Sequence, residues 1–218
     1  MSTSSAAATS VSHGADSASA TEAGRRPRVR PYRADVREGV LSAGREAFRE
    51  LGYHGASLDG IARRAGFSKG AVYSNFDSKE SLFLECMTVE IRELGDERRD
   101  SMIGLDDDAY FTMLATWLIT IATDGRAQRA FTEFAAYAAR DAALSERLAE
   151  VRRPLTERTR HTLVAAAQEQ GRDLAISAED AASLVLSLAN GLVLEQIGHD
   201  EPVISVQGLA QVLRCLYV

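Results

Sequence analysis

The sequence is poor in the residues that cross-link or stiffen a chain. Two cysteines, Cys86 and Cys215, lie far apart in apolar surroundings; these predict buried, reduced thiols in a cytosolic protein, with a disulfide or redox switch as the alternative. Four prolines and an aromatic share of 6% disfavour a sheet-rich fold and leave an alanine- and leucine-rich chain suited to helices. No apolar run is long enough to span a membrane. The two apolar peaks, Ala109–Ala122 and Ala181–Leu194, cover 14 residues each, against the ~20 that a spanning helix needs. The spaced signatures of catalysis are missing too: there is no GxSxG, HExxH, CxxC or GxGxxG. "GASLDG" places its second glycine one residue late for a nucleophile elbow, and "GFSKG" lacks the spacing and the preceding strand of a phosphate loop. His13, His54, His161 and His199 have no metal-ligand spacing. Neither an enzyme nor a metal or other cofactor is expected.

Charge is distributed unevenly. The net charge is -6, yet residues 25–80 carry 12 Lys and Arg against 7 Asp and Glu, while residues 81–218 carry 13 against 22. A basic front and an acidic back predict that only the front meets a polyanion. Of the 25 basic residues only Lys69 and Lys79 are lysines.

The first 24 residues are rich in Ser, Ala and Thr, lack the basic start and apolar centre of a signal peptide, and read as a disordered tail. Residues 25–33, "RRPRVRPYR", form a basic arm in which two prolines forbid a regular helix. From Ala34, Val36, Val40, Ala43, Ala47 and Leu51 recur on one helix face, and Gly52 stands where a C-terminal cap belongs. Ser57 precedes the short helix "LDGIARRA", which Gly66 ends; Ser68 then caps "KGAVYSNF", residues 69–76. Asp77 and Glu80 suggest a capping box for a longer helix over 78–99. Helical periodicity continues to the end, with a kink expected at Pro154 and a last helix over about 205–217. The fold class is all-α.

Two short helices joined by a glycine turn form the arrangement of a helix-turn-helix, whose second helix enters the major groove. With Phe67, Val72 and Phe76 turned inward, Lys69, Gly70, Ala71, Tyr73, Ser74 and Asn75 are left outward. Gly70 and Ala71 would permit close approach to base edges, Lys69 would donate to guanine, and Asn75 would pair with adenine. Ser57 and Ser68 sit at helix N-termini that attract phosphate, Lys79 would neutralise another phosphate, and arm arginines such as Arg30 and Arg33 would reach the backbone or minor groove. From topology alone, a solvent-facing αα-hairpin is an equal reading.

Ser57 to Leu82, "SLDGIARRAGFSKGAVYSNFDSKESL", resembles the DNA-binding signature of TetR-type transcriptional regulators. The matching elements are Ser57, Ile61-Ala62, Ala65-Gly66, Ser68-Lys69-Gly70, Tyr73, Phe76, Lys79-Glu80 and Leu82. The resemblance implies that Ser57, Tyr73 and Lys79 hold phosphates while Lys69, Gly70, Ala71, Ser74 and Asn75 face bases. Ala71 and Asn75 depart from the Thr and His that many members carry there, so base preferences do not transfer.

The resemblance further implies two domains: an N-terminal three-helix DNA-binding domain over 34–80, and a helical effector-binding and dimerisation domain over 81–218. The last two helices would pair two copies, with small Ala189 and Gly191 at the contact. Met87, Met113, Trp117, Phe131, Phe134, Tyr137 and His161 are the candidates for an effector pocket. The helix from Ser78 would be the lever, passing Met87 and Ile91. The expected partners are double-stranded DNA with a palindromic operator, a second copy of the chain, and a small-molecule effector; no membrane partner is expected. The expected protein is a cytoplasmic, nucleoid-associated repressor released by its effector. A DNA-bound interaction protein without an effector, and a helical carrier or enzyme, are the alternatives.

Overall fold

The computed structural model describes residues 33–101 and 105–218. The tail, most of the basic arm and Arg30 lie outside the described residues. Among these there are nine helices: α1 (Arg33–Gly55), α2 (Leu58–Ala65), α3 (Lys69–Tyr73), α4 (Lys79–Ser101), α5 (Asp107–Asp124), α6 (Arg126–Ala138), α7 (Ala142–Glu169), α8 (Ala178–Glu195) and α9 (Val206–Arg214). No strand occurs among the described residues, only an isolated bridge between Leu174 and Tyr217.

Polar caps set most helix starts. Ser57, Ser68, Asp106, Asp141, Ser177 and Ser205 each accept a backbone N–H from the first turn of the helix they precede. Gly52, at φ 73° and ψ 177°, breaks the helical backbone of α1 where a C-terminal cap is expected, and one further turn runs to Gly55. Three boundaries differ from the expected ones. Helix α3 ends at Tyr73 rather than Phe76. There the Ser74 hydroxyl and the Asn75 amide both donate to the Ala71 carbonyl, at 2.9 and 2.8 Å, and compete with the backbone ladder. The cap of α4 is Ser78, whose hydroxyl accepts from Ser81 N at 3.1 Å, in place of an Asp77–Glu80 box. Helix α9 stops at Arg214, since the last residues instead pair with the α7–α8 connection through Ala175 N to Leu216 O and a reciprocal Asp173–Val218 pair. Helix α7 continues through Pro154.

Two apolar clusters form. The first joins α1 to α4 with α6 and the start of α7, around fully buried Val40, Ile61, Val72, Phe76 and Leu82. Its centre is aromatic: the Phe83 and Phe134 rings stack at 4.5 Å, and Tyr53 meets Phe134 edge-on at 4.9 Å. The second holds α5, the end of α7, α8 and α9 around Phe111, Leu118, Leu163, Leu209 and Leu213. The first cluster therefore runs past residue 80, and α6 is a wall of the core that seats the helix-turn-helix. Burying each such side chain contributes about 1.5–3 kcal/mol. Cys86 lies in the first cluster, and burial pushes its thiol up to about 12. Cys215, which caps the C-terminal end of α9, is exposed, contrary to expectation.

Candidate nucleic-acid interface and inner cavity

Helices α2 and α3 are joined by Gly66, at φ 73°, whose N–H returns to α2 while Phe67 N donates to Ala62 O at 3.0 Å. Phe67 packs over Gly39, and Val72 and Phe76 are buried at 0% and 1% exposure. These three anchors leave Ser68, Lys69, Gly70, Tyr73 and Ser74 on the outer face. Gly70 has ordinary helical backbone, and a side chain added there would meet no atom within 4 Å. Nothing inside the chain requires a glycine at that place. Ala71 is only partly exposed and packs against the first cluster.

Several of these side chains are already engaged. The hydroxyls of Ser57 and Ser68 accept from Gly60 N and Ala71 N, at 3.1 and 3.2 Å. Lys69 pairs with Asp59 across the turn. Asn75, besides bonding Ala71 O, accepts from Arg33 Nε at 3.4 Å, and Arg33 Nη2 donates to Ser74 O at 3.1 Å. The last arginine of the basic arm thus sits on the C-terminal end of α3, where a helix attracts a cation.

Lys79 points into the fold. Its ammonium donates to the carbonyls of Tyr53 and Ala56, at 2.7 and 2.9 Å, and lies over the Tyr53 ring. Burial lowers its pKa. Beside it, Glu80 accepts from the hydroxyls of Tyr53 and Tyr137, at 3.1 and 3.2 Å. Burial alone would raise the Glu80 pKa, but a backbone N–H, Ser78 and these two tyrosines outweigh it and hold the carboxyl below the usual range. Glu133 on α6 accepts from His54 N at 3.0 Å. One node therefore ties the end of α1, the start of α4 and α6.

Further along α4, Met87 and Ile91 face a cavity of about 80 Å³ closed by Trp117, Ile121, Phe131 and Leu155. Leu186 and Ala189 of α8 complete the apolar wall. Three polar side chains reach it: Gln128 and Asn190, which bond each other, and Arg152. The Arg152 guanidinium lies 5.0 Å from the centre of the Phe131 ring. Of the predicted pocket residues, Met87, Trp117 and Phe131 meet here. The other four do not. Phe134 is fully buried in the first cluster, Tyr137 bonds Glu80, and Met113 and His161 are on the surface. No helix among the described residues is long and apolar enough to cross a membrane.

Residues 40–86 match the model of bacterial regulatory proteins of the tetR family, and residues 108–216 match that of the BetI-type transcriptional repressor C-terminal region. The chain belongs to the tetR family. It is 43% identical over 61 residues to the transcriptional activator FasR of Mycolicibacterium smegmatis, a match covering 28% of either chain. It is 31% identical over 68 residues to the transcriptional regulator YhgD of Bacillus subtilis, covering 31% of this chain and 36% of that protein. The chain thus spans about a third of the length of these curated relatives. Among solved structures, a transcriptional regulator from Rhodococcus sp. RHA1 superposes with a TM-score of 0.65 at 26% identity, covering 83% of this chain and 95% of that one.

In this TetR-family regulator, sequence reasoning missed the Glu80–Tyr53–Tyr137 node, whose partners are distant along the chain. It also missed Arg152. A signal for that residue existed: Arg152 falls between Leu148, Leu155 and Thr159 on the buried stripe of α7.

Proposed function

We propose that this transcriptional regulator binds a palindromic operator as a homodimer, with α3 in the major groove, and is a repressor that a small molecule in the inner cavity releases. The observation that carries the reading is the outer face of α3, where Gly70 meets nothing and Tyr73 is 52% exposed while Val72 behind them is fully buried. Such a face admits a close neighbour from outside. Lys69 and Ser74 would face bases, as would Asn75 once freed from Arg33; Ser57, Ser68, Tyr73 and the remaining N–H of Lys79 would face phosphates. Repression follows the BetI-type repressor match of the C-terminal part.

Dimerisation is supported by unpartnered apolar side chains on the last two helices. Leu184 and Leu194 of α8 are 50% and 51% exposed, Val212 of α9 is 53% exposed, and Gly191 has open space above it. Release would run along α4, which carries the Lys79–Glu80 node at its start and Met87 and Ile91 on the cavity wall, ~18 Å along the helix. The effector must favour the state in which the two α3 helices lose their spacing, or it shifts nothing. The test is footprinting on the DNA flanking the gene together with sedimentation of the free protein. Two protected half-sites about 10 base pairs apart and a dimer are expected; a single site or a monomer at micromolar concentration contradicts the proposal.

A further inference from the structure

We infer that the inner cavity takes an apolar molecule ending in an anion, a short-chain carboxylate, with Arg152 as its counter-ion. This rests on the reading of the cavity as the effector site and names the ligand class.

Arg152 is a partly buried cation that no carboxylate among the described residues pairs with; its guanidinium lies over the Phe131 ring, itself a wall of the cavity. Burial lowers its pKa, yet a guanidinium stays charged at any ordinary pH, so its partial desolvation is not relieved by losing the proton. Its own helix offers it no carboxylate. Its neighbours three and four residues away are Leu148, Ala149, Leu155 and Thr156, all uncharged. Glu146, Glu150 and Glu157 stand on α7 at other angles and line the open groove beyond, not the cavity.

Arg152 belongs to two spaces at once. Inward is the apolar cavity of about 80 Å³; outward is a polar groove of about 530 Å³ that it shares with Thr156, Leu186 and Ser187. A ligand crossing that wall would place its chain among Met87, Trp117 and Leu155 and its charged end on the guanidinium. The inner volume limits the apolar part, because an apolar cavity of about 150 Å³ is what takes benzene. A carboxylate can bond a guanidinium fork through both oxygens, whereas an ammonium would be repelled.

Trp117 is the single tryptophan of the chain and lines the same cavity, so its emission reports occupancy directly. The full-length protein would be titrated with propionate, butyrate and pentanoate, and with the amides and alkylammonium ions of equal length. Carboxylates are expected to change the emission at concentrations about tenfold or more below the amides, since a charge-assisted bond is gained. Alkylammonium ions should have no effect. Arg152→Met should remove the carboxylate preference while leaving amide binding, and Arg152→Lys should keep part of it. Equal binding of amides and carboxylates by the wild type, or a preference that survives in folded Arg152→Met, overturns the anionic assignment and leaves the effector site standing. Silence from all three classes, with operator binding intact, overturns the effector site itself and the assignment with it.

Discussion

The ammonium of Lys79 lies 2.7 Å from the carbonyl oxygen of Tyr53 and 4.3 Å from the centre of the same residue's ring. Because Lys79 opens α4 and Tyr53 closes α1, this pair fixes how the recognition unit sits on the helix that leads to the cavity. Lys79→Met is expected to lower unfolding stability by about 1–3 kcal/mol, through loss of charge-assisted bonds to two carbonyls. Urea unfolding measures this, and an unchanged midpoint contradicts the tether. The folded variant should also bind every DNA sequence about equally more weakly, with a salt slope lower by about one.

Gly70→Ala separates folding from binding. The added methyl meets no atom of the chain, and alanine is favoured over glycine in a helix by up to about 1 kcal/mol. The variant should therefore melt at the same temperature or higher, yet bind the operator more weakly if α3 approaches the groove closely. Melting curves and operator titrations in one buffer give both answers. Undiminished operator affinity would move the contact away from Gly70.

Lys69 stands at the start of α3, paired with the surface carboxylate of Asp59. Such exposed pairs contribute little, about 0–1 kcal/mol, so exchanging Asp59 for a base edge is cheap. Lys69→Ala is expected to relax discrimination at one base pair per half-site, measured with operators substituted one pair at a time. Sequence preference that is the same at every position contradicts the assignment.

Glu80 carries a pH dependence. Its folded pKa lies below its unfolded one, so its contribution is fully present above the unfolded value and is lost as pH falls through the folded value. Stability measured from neutral pH down through ~4 should fall more steeply in the wild type than in Glu80→Gln. Parallel curves would mean that the two tyrosines bond the carboxyl no better than water does.

The helix-turn-helix was legible because its determinants are local: Ser57, Gly66 and Ser68 act within four residues of themselves. The inner cavity was only half legible. Phe131 and Phe134 are neighbours on α6 and both apolar, yet one lines the cavity and the other joins Phe83 and Tyr53. Periodicity says that both are buried, and both join the first cluster, but it cannot say which of them reaches the cavity. The role of Lys79 was obscured for a related reason, since its carbonyl partners lie 26 and 23 residues upstream. Asn75 reads as a base-contacting amide in sequence, whereas Arg33 and Ala71 O occupy it in the fold.

The most direct test is a titration of the full chain against the DNA flanking its gene and against a scrambled duplex, over a range of salt. The flanking DNA should be bound about a thousandfold or more tightly than the scrambled duplex, and both affinities should fall linearly on a logarithmic salt scale. Binding that is absent, or that is equal for the two duplexes at every salt concentration, contradicts the account.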